Sequence, residues 1–252
     1  MSKYAKYNDE IKRLHSEGLR NADIARKVGV DSRRVSDRLK ALGLKRNKRR
    51  FNDQPTEEQE KVFISMFIGD GAIYKSKGNK NYRINLAHSD KQKDYFLMKY
   101  NKVKDFIGVE YFKESQFHKK AKKEYHAYKF QSRVNPYFTR MREVWYKDGK
   151  KIIPKLIKDK LDDEIMAYKF FDDGWLTASG YSIAMNDYDV ESVNNLRQAM
   201  KENLGIETNL QEEGKIIYIP ASERNKFREI VEPYATKDVL YKLGEFRETP
   251  NV

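Results

Sequence analysis

The sequence predicts an α+β protein: two similar half-domains, each running helix-hairpin-helix-hairpin-helix, behind a small all-α module. Three observations predict it. Two mostly apolar runs, Phe63-Ile64-Ser65-Met66-Phe67-Ile68-Gly69-Asp70-Gly71 and Met166-Ala167-Tyr168-Lys169-Phe170-Phe171-Asp172-Asp173-Gly174, each read as a helix ending in Asp-Gly. A motif repeated in one chain implies a repeated fold. The elements after each run follow in the same order, and a long helix closes on Ile107-Gly108-Val109-Glu110 in one half and on Leu204-Gly205-Ile206-Glu207 in the other. The third observation is charge. Residues 1–50 hold sixteen Lys and Arg against six Asp and Glu, about +10 of the chain's +13, so the first fifth is a module of its own. The expected divisions are residues 1–45, a basic linker 46–55, and half-domains 56–160 and 161–252.

A net charge of +13 points to a polyanionic partner. The chain has no Cys, which excludes a disulfide framework and a Cys-based zinc site. Four scattered His residues do not suggest a His-based one. No apolar run approaches the roughly 18 residues of a membrane span, and the polar N-terminus lacks the apolar core of a signal peptide. The expectation is a cytoplasmic protein without a membrane partner, of bacterial or phage origin.

In the N-terminal module, Asn8-Asp9 and Asn21 suit helix starts, Gly18 and Gly29 suit ends, and Asp31-Ser32 opens a third helix closed by Gly43. Ile24, Ala25, Val28, Val30, Val35 and Leu39 form an apolar set at helical spacing. A short helix, a Gly-Val turn and a polar helix start make a helix-turn-helix pattern. It resembles that of resolvases and many phage and bacterial regulators. Its second helix would present Ser32, Arg33, Arg34, Ser36, Arg38 and Lys40, side chains able to reach base edges or phosphates. The alternative is a plain three-helix bundle with a charged face. Lys45-Arg46-Asn47-Lys48-Arg49-Arg50 reads equally as an arm following phosphates and as a solvated linker.

Thr56 with Gln59 gives a capping box for the first motif helix. Ala72–Lys75 and Tyr82–Ala87 flank a turn-rich segment and read as a hairpin. A helix capped by Asp90 runs to about Phe106. Tyr111–Ser115 and Tyr125–Gln131 form a second hairpin, and Asn135-Pro136 starts a helix. The second half repeats this with Trp175–Ala178, Tyr181–Met185, a helix from Asp189, strands Thr208–Glu212 and Ile216–Pro220, and a helix through Val231. Hairpins of this kind can enter a major groove. Arg83, Asn85, His88, Lys129, Gln131 and Arg133 are the polar candidates for base contact. An ordinary wet sheet face explains them as well.

On these residues the chain resembles the LAGLIDADG homing endonucleases, single-chain and two-motif in type, over about residues 57–245. The second half is especially similar to the I-SceI-like subgroup, through Lys150-Lys151-Ile152-Ile153-Pro154, Ile216-Ile217-Tyr218-Ile219-Pro220, Val231-Glu232-Pro233-Tyr234 and Tyr241-Lys242-Leu243. The resemblance implies saddle-like antiparallel sheets and a monomer that makes a double-strand break. It implies that Asp70 and Asp173 bind Mg²⁺ or Mn²⁺, with Lys151 and Lys242 near the attacking water. Asp172 falls on a packing position. The family's small third motif residue is matched by Ser65 but not by Tyr168, whose bulk must be relieved elsewhere. The implied partner is double-stranded DNA with a long asymmetric recognition site, cut across the minor groove to leave short 3′ overhangs. Physical chemistry agrees: phosphodiester hydrolysis needs charge stabilisation on attacking and leaving oxygens, and two carboxylates held close need a cation between them. A non-cleaving DNA-binding regulator and an RNA-binding intron maturase are the competing readings.

Overall fold

A computed structural model of the chain describes residues 7–45, 47, 52–118 and 122–244. It divides into two compact units, residues 1–51 and 52–252. Among its described residues the first has three helices: α1 (Asn8–Ser16), α2 (Asn21–Val28) and α3 (Ser32–Ala41). Ile11, Leu14, Ile24, Ala25, Val35 and Leu39 form its separate core. Gly29, at φ 71°, ends α2 in a left-handed conformation, and the Asp31 side chain caps α3 through the Arg33 N–H. Asn21 starts α2 and does not cap it; the preceding residue, Arg20, pairs instead with Asp23 at 2.7 Å. Of the basic run, Lys45 and Asn47 are tied back to α1: the Lys45 carbonyl bonds the His15 ring and the Asn47 amide donates to the His15 carbonyl. Arg46 and residues 48–50 lie outside the described residues.

The second unit opens with α4 (Glu57–Ile68), where the Thr56–Gln59 capping box forms as expected. Strands β1 (Ala72–Tyr74) and β2 (Arg83–Ser89), helix α5 (Lys93–Ile107), strands β3 (Phe112–His118) and β4 (Lys123–Gln131), and helix α6 (Pro136–Trp145) follow. Next come β5 (Tyr146–Lys147) and β6 (Lys150–Lys151). The second half has α7 (Asp163–Asp173), β7 (Gly174–Leu176), β8 (Tyr181–Ala184), α8 (Val190–Leu204), β9 (Asn209–Gln211), β10 (Ile216–Ile219) and α9 (Arg224–Val231). The two large sheets have the same antiparallel order, β1-β2-β4-β3 and β7-β8-β10-β9. The expected repeat is therefore present.

Helices α4 and α7 pack side by side. Both are buried on all faces, from Val62 to Ile68 and from Glu164 to Phe171. A helix apolar on every side has to be central, and one continuous core spans both halves around this pair. Tyr168 is accommodated by turning aside. Its hydroxyl donates to Glu164, and its ring meets Tyr95 and Tyr234 edge-on. The start of α5 is capped by Asp238 from the other half, which accepts the Asp94 N–H at 2.7 Å and the Tyr95 N–H at 3.3 Å; Asp90 lies in a short 3-10 turn before it.

Candidate active site

The motif helices end together, and that places the chemistry. Asp70 and Asp173 both line a cleft of about 270 Å³, along with Gly69, Lys151, Ala184, Asn186, Asp187 and Tyr188. Lys151 reaches in from β6, which the sequence reading missed. β5 and β6 pair around Asp148 and Gly149, both at positive φ, and Asp-Gly is a strong signal for such a two-residue hairpin. The Lys151 ammonium donates to the Gly69 carbonyl at the end of the first motif. Lys242 does the same at the second, donating to the Phe171 carbonyl at 2.8 Å and the Asp172 carbonyl at 3.0 Å. Each lysine thus meets the negative end of a helix. Burial lowers both ammonium groups, Lys151 to about 8, aided by the nearby Lys169. Lys151 opens on the cleft; Lys242 is buried and is not among its lining residues.

Asp172 is buried and fully engaged. It accepts from Lys99 at 2.7 Å, from the Tyr95 hydroxyl at 2.8 Å and from the Asp70 N–H at 3.1 Å. Burial alone would raise its carboxyl, but Lys99 and these donors hold it at about 2. It braces one motif against the other, as its packing position suggested. Asp70, Asp172 and His88 lie close enough to share an ion, yet both Asp172 oxygens already have donors.

The two carboxylates of the cleft are not equivalent. Among the described residues the only ion-pairing neighbour of Asp70 is His88, with Nδ1 at 3.4 Å. Burial lowers that imidazole to about 4, so it is neutral at pH 7. Burial and the neighbouring Asp172 and Asp173 push the Asp70 carboxyl up to about 7. A cleft carboxylate that no ammonium or guanidinium pairs with among the described residues fits a divalent metal. Asp173, in contrast, pairs with Lys169 at 2.7 Å.

His88 does not share the outer face expected of a base contact: it is buried. Strand residues alternate between faces, and His88 shares the inner side with Ile84 and Leu86, buried against Tyr95 and Phe96. Arg83, Asn85, Lys129 and Gln131 do share the outer face, with Asn85 paired to Gln131 in register. Arg83 Nε and Asn85 Oδ1 are themselves buried and have no hydrogen-bond partner in the protein. Arg133 falls beyond the end of β4, its side chain against Gly108 at the end of α5. On the second sheet, Trp175 and Tyr218 both pair with Ser182 across the strands and so lie on one face; neither is among the candidates for base contact given above. In the N-terminal unit Ser32, Arg33, Arg34, Ser36 and Lys40 are exposed on α3, while Arg38 is drawn back to Asn8 on α1.

The fold and site together define a protein of two pseudo-symmetric halves joined in one chain, with a paired carboxylate centre where the halves meet. The chain belongs to the LAGLIDADG DNA endonuclease family, whose model matches residues 61–227. The match begins beyond the N-terminal unit. The chain is 24% identical to the DNA endonuclease I-ChuI of Chlamydomonas applanata over 213 residues, 75% of this chain and 96% of that protein. It is 22% identical over 202 residues to the cytochrome b mRNA maturase bI2 of Debaryomyces hansenii, 78% of this chain and 77% of the relative. In fold it is similar to the homing endonuclease I-WcaI bound to its DNA recognition sequence. That match has a TM-score of 0.66 and 21% identity, and covers 75% of this chain and 86% of the other. These organisms lend no support to the expected bacterial or phage origin. Among the described residues no helix is long and apolar enough to cross a membrane.

Proposed function

We infer that this chain is a site-specific homing endonuclease that hydrolyses both strands of double-stranded DNA. The observation that carries it is the cleft in which Asp70 and Asp173 converge at the ends of paired motif helices. Asp70 and Asp173 would hold Mg²⁺ or Mn²⁺. When bound, such ions stabilise charge on the attacking and leaving oxygens of a phosphodiester. Lys151, with its ammonium lowered to about 8, exchanges a proton with water in the cleft near working pH. Lys242 holds the end of α7 and with it the position of Asp173. Arg83, Asn85, Lys129 and Gln131 face base edges, for which a guanidinium, an ammonium and two amides supply donors and acceptors. The N-terminal unit acts as a helix-turn-helix, with Ser32, Arg33, Arg34, Ser36 and Lys40 toward the major groove. Two unlike half-domains and one added module suit a long asymmetric site. One chain supplies both motifs, so the site is complete without a second copy.

Retention of both carboxylates and both lysines speaks against a non-cleaving regulator, and no feature of the cleft favours a maturase. The test is selection from a plasmid library of randomised inserts, incubated with Mg²⁺ or Mn²⁺, with sequencing of the linear products. A single family of cut sites is expected, with Asp70→Asn and Asp173→Asn each losing the cut on one strand while still binding. Enrichment of bound but uncut DNA under every divalent ion would favour the regulator and overturn the endonuclease reading.

A further inference from the structure

The halves differ four residues before each cleft carboxylate. Met66 stands there in the first motif and Lys169 in the second. Lys169 is wholly buried, its Nζ 2.7 Å from Asp173 Oδ2 and 5.1 Å from the centre of the Tyr188 ring. Among the described residues Asp70 pairs with no such cation, and its ion-pairing neighbour is the His88 ring at 3.4 Å. We propose that Lys169 is a tethered cation that occupies Asp173 and makes the second half-site the weaker of the two for a divalent ion. The inference rests on the reading of Asp70 and Asp173 as metal ligands.

The physical reason is the absence of an alternative for Lys169. An exposed lysine displaced from a carboxylate moves into water. Lys169 has 0% of its side chain exposed, so displacement would leave a buried unpaired ammonium, which is strongly unfavourable. A divalent ion at Asp173 therefore has to share the carboxylate with a positive charge at hydrogen-bond distance, in surroundings where charge repulsion is poorly screened. At Asp70, among the described residues, no ammonium sits at hydrogen-bond distance of the carboxylate. The Asp70 half-site fills first, so at limiting metal one strand is cut before the other.

Titration of the full chain with Mn²⁺ at pH 8, followed by the electron paramagnetic resonance of the free ion and by calorimetry, tests this without DNA. Two classes of site are expected, at least about tenfold apart in affinity. Asp70→Asn should remove the tight class and Asp173→Asn the weak one. Lys169→Met should bring the weak class to within about threefold of the tight one. Two equivalent ions in the wild-type chain, or a weak class unmoved by Lys169→Met, would overturn the proposal. The asparagine variants decide the order of the sites even if Lys169→Met fails to fold. If no Mn²⁺ binds, or neither asparagine variant loses an ion, the metal-ligand reading falls and this inference falls with it.

Discussion

Gly69 and Asp172 occupy the same position in the two motifs, and the missing side chain of one makes room for the side chain of the other. A Cβ at Gly69 would lie 2.2 Å from Asp172 Oδ2, the oxygen that accepts the Asp70 N–H. Gly69 has a φ of −126°, so the neighbour and not the dihedral excludes other residues. Gly69→Ala should lower stability by about 2–4 kcal/mol in urea unfolding. Combined with Asp172→Ala it should add much less than its separate effect, though not nothing, because the Ser65 carbonyl also lies 2.9 Å from that Cβ. Strict additivity would show that the carboxylate is not what fills the gap.

The two cleft lysines should separate by their surroundings. Lys151→Met should slow cleavage about 10²-fold with little change in melting temperature, since the carbonyl it leaves opens on the cleft. Lys242→Met strands two carbonyls in a buried place and should also lower stability by about 1–3 kcal/mol. Normal cleavage by Lys151→Met, measured in single turnover, would remove Lys151 from the chemistry.

Asp70 sets a pH dependence. Its carboxyl is raised from 3.8 to about 7, so the folded metal-free chain binds this proton more tightly than the unfolded chain does. The associated stability is full below about pH 4 and is lost as pH rises through about 7. Asp70→Asn lacks that loss, so its stability relative to wild type should grow from pH 4 to 7 and then level. Mn²⁺ requires the ionised carboxylate. Added Mn²⁺ should therefore raise the wild-type melting temperature more at pH 8 than at pH 6. Equal shifts at both pH values would argue that Asp70 is not a ligand.

The N-terminal unit has its own core and most of the excess positive charge. Deleting residues 1–50 should weaken DNA binding and flatten the plot of log affinity against log salt, with the cut position unchanged. Arg33→Ala with Arg34→Ala should reproduce part of this and relax preference at one end of the site. A footprint and salt slope identical to those of the full chain would mean that α3 does not read DNA.

The sequence made the elements legible where local chemistry decides them. Thr56–Gln59, Asn135 and Asp189 cap their helices, and Gly108 and Gly205 close theirs in the left-handed region. The paired Asp-Gly motifs located the cleft. What escaped is what distant packing decides: Asp238 capping α5 across the halves, or Lys99 buried on Asp172. Other signals were local and went unread. His88 has the strand parity of Ile84 and Leu86, Asp148-Gly149 marks a tight hairpin, and Lys169 interrupts an apolar run four residues before an aspartate.

The unlike residues at the seam also determine whether the halves could live apart. A pair of first halves would set Gly69 against Gly69 and leave a void. A pair of second halves would confront one Asp172 with another, without the Lys99 and Tyr95 that the first half provides. Severed between α6 and α7, the chain should reassemble only as a mixed pair, each fragment rejecting its own kind. Joining the halves in one chain frees each from having to match itself, and the seam uses that freedom: a glycine on one side is complementary to a carboxylate on the other.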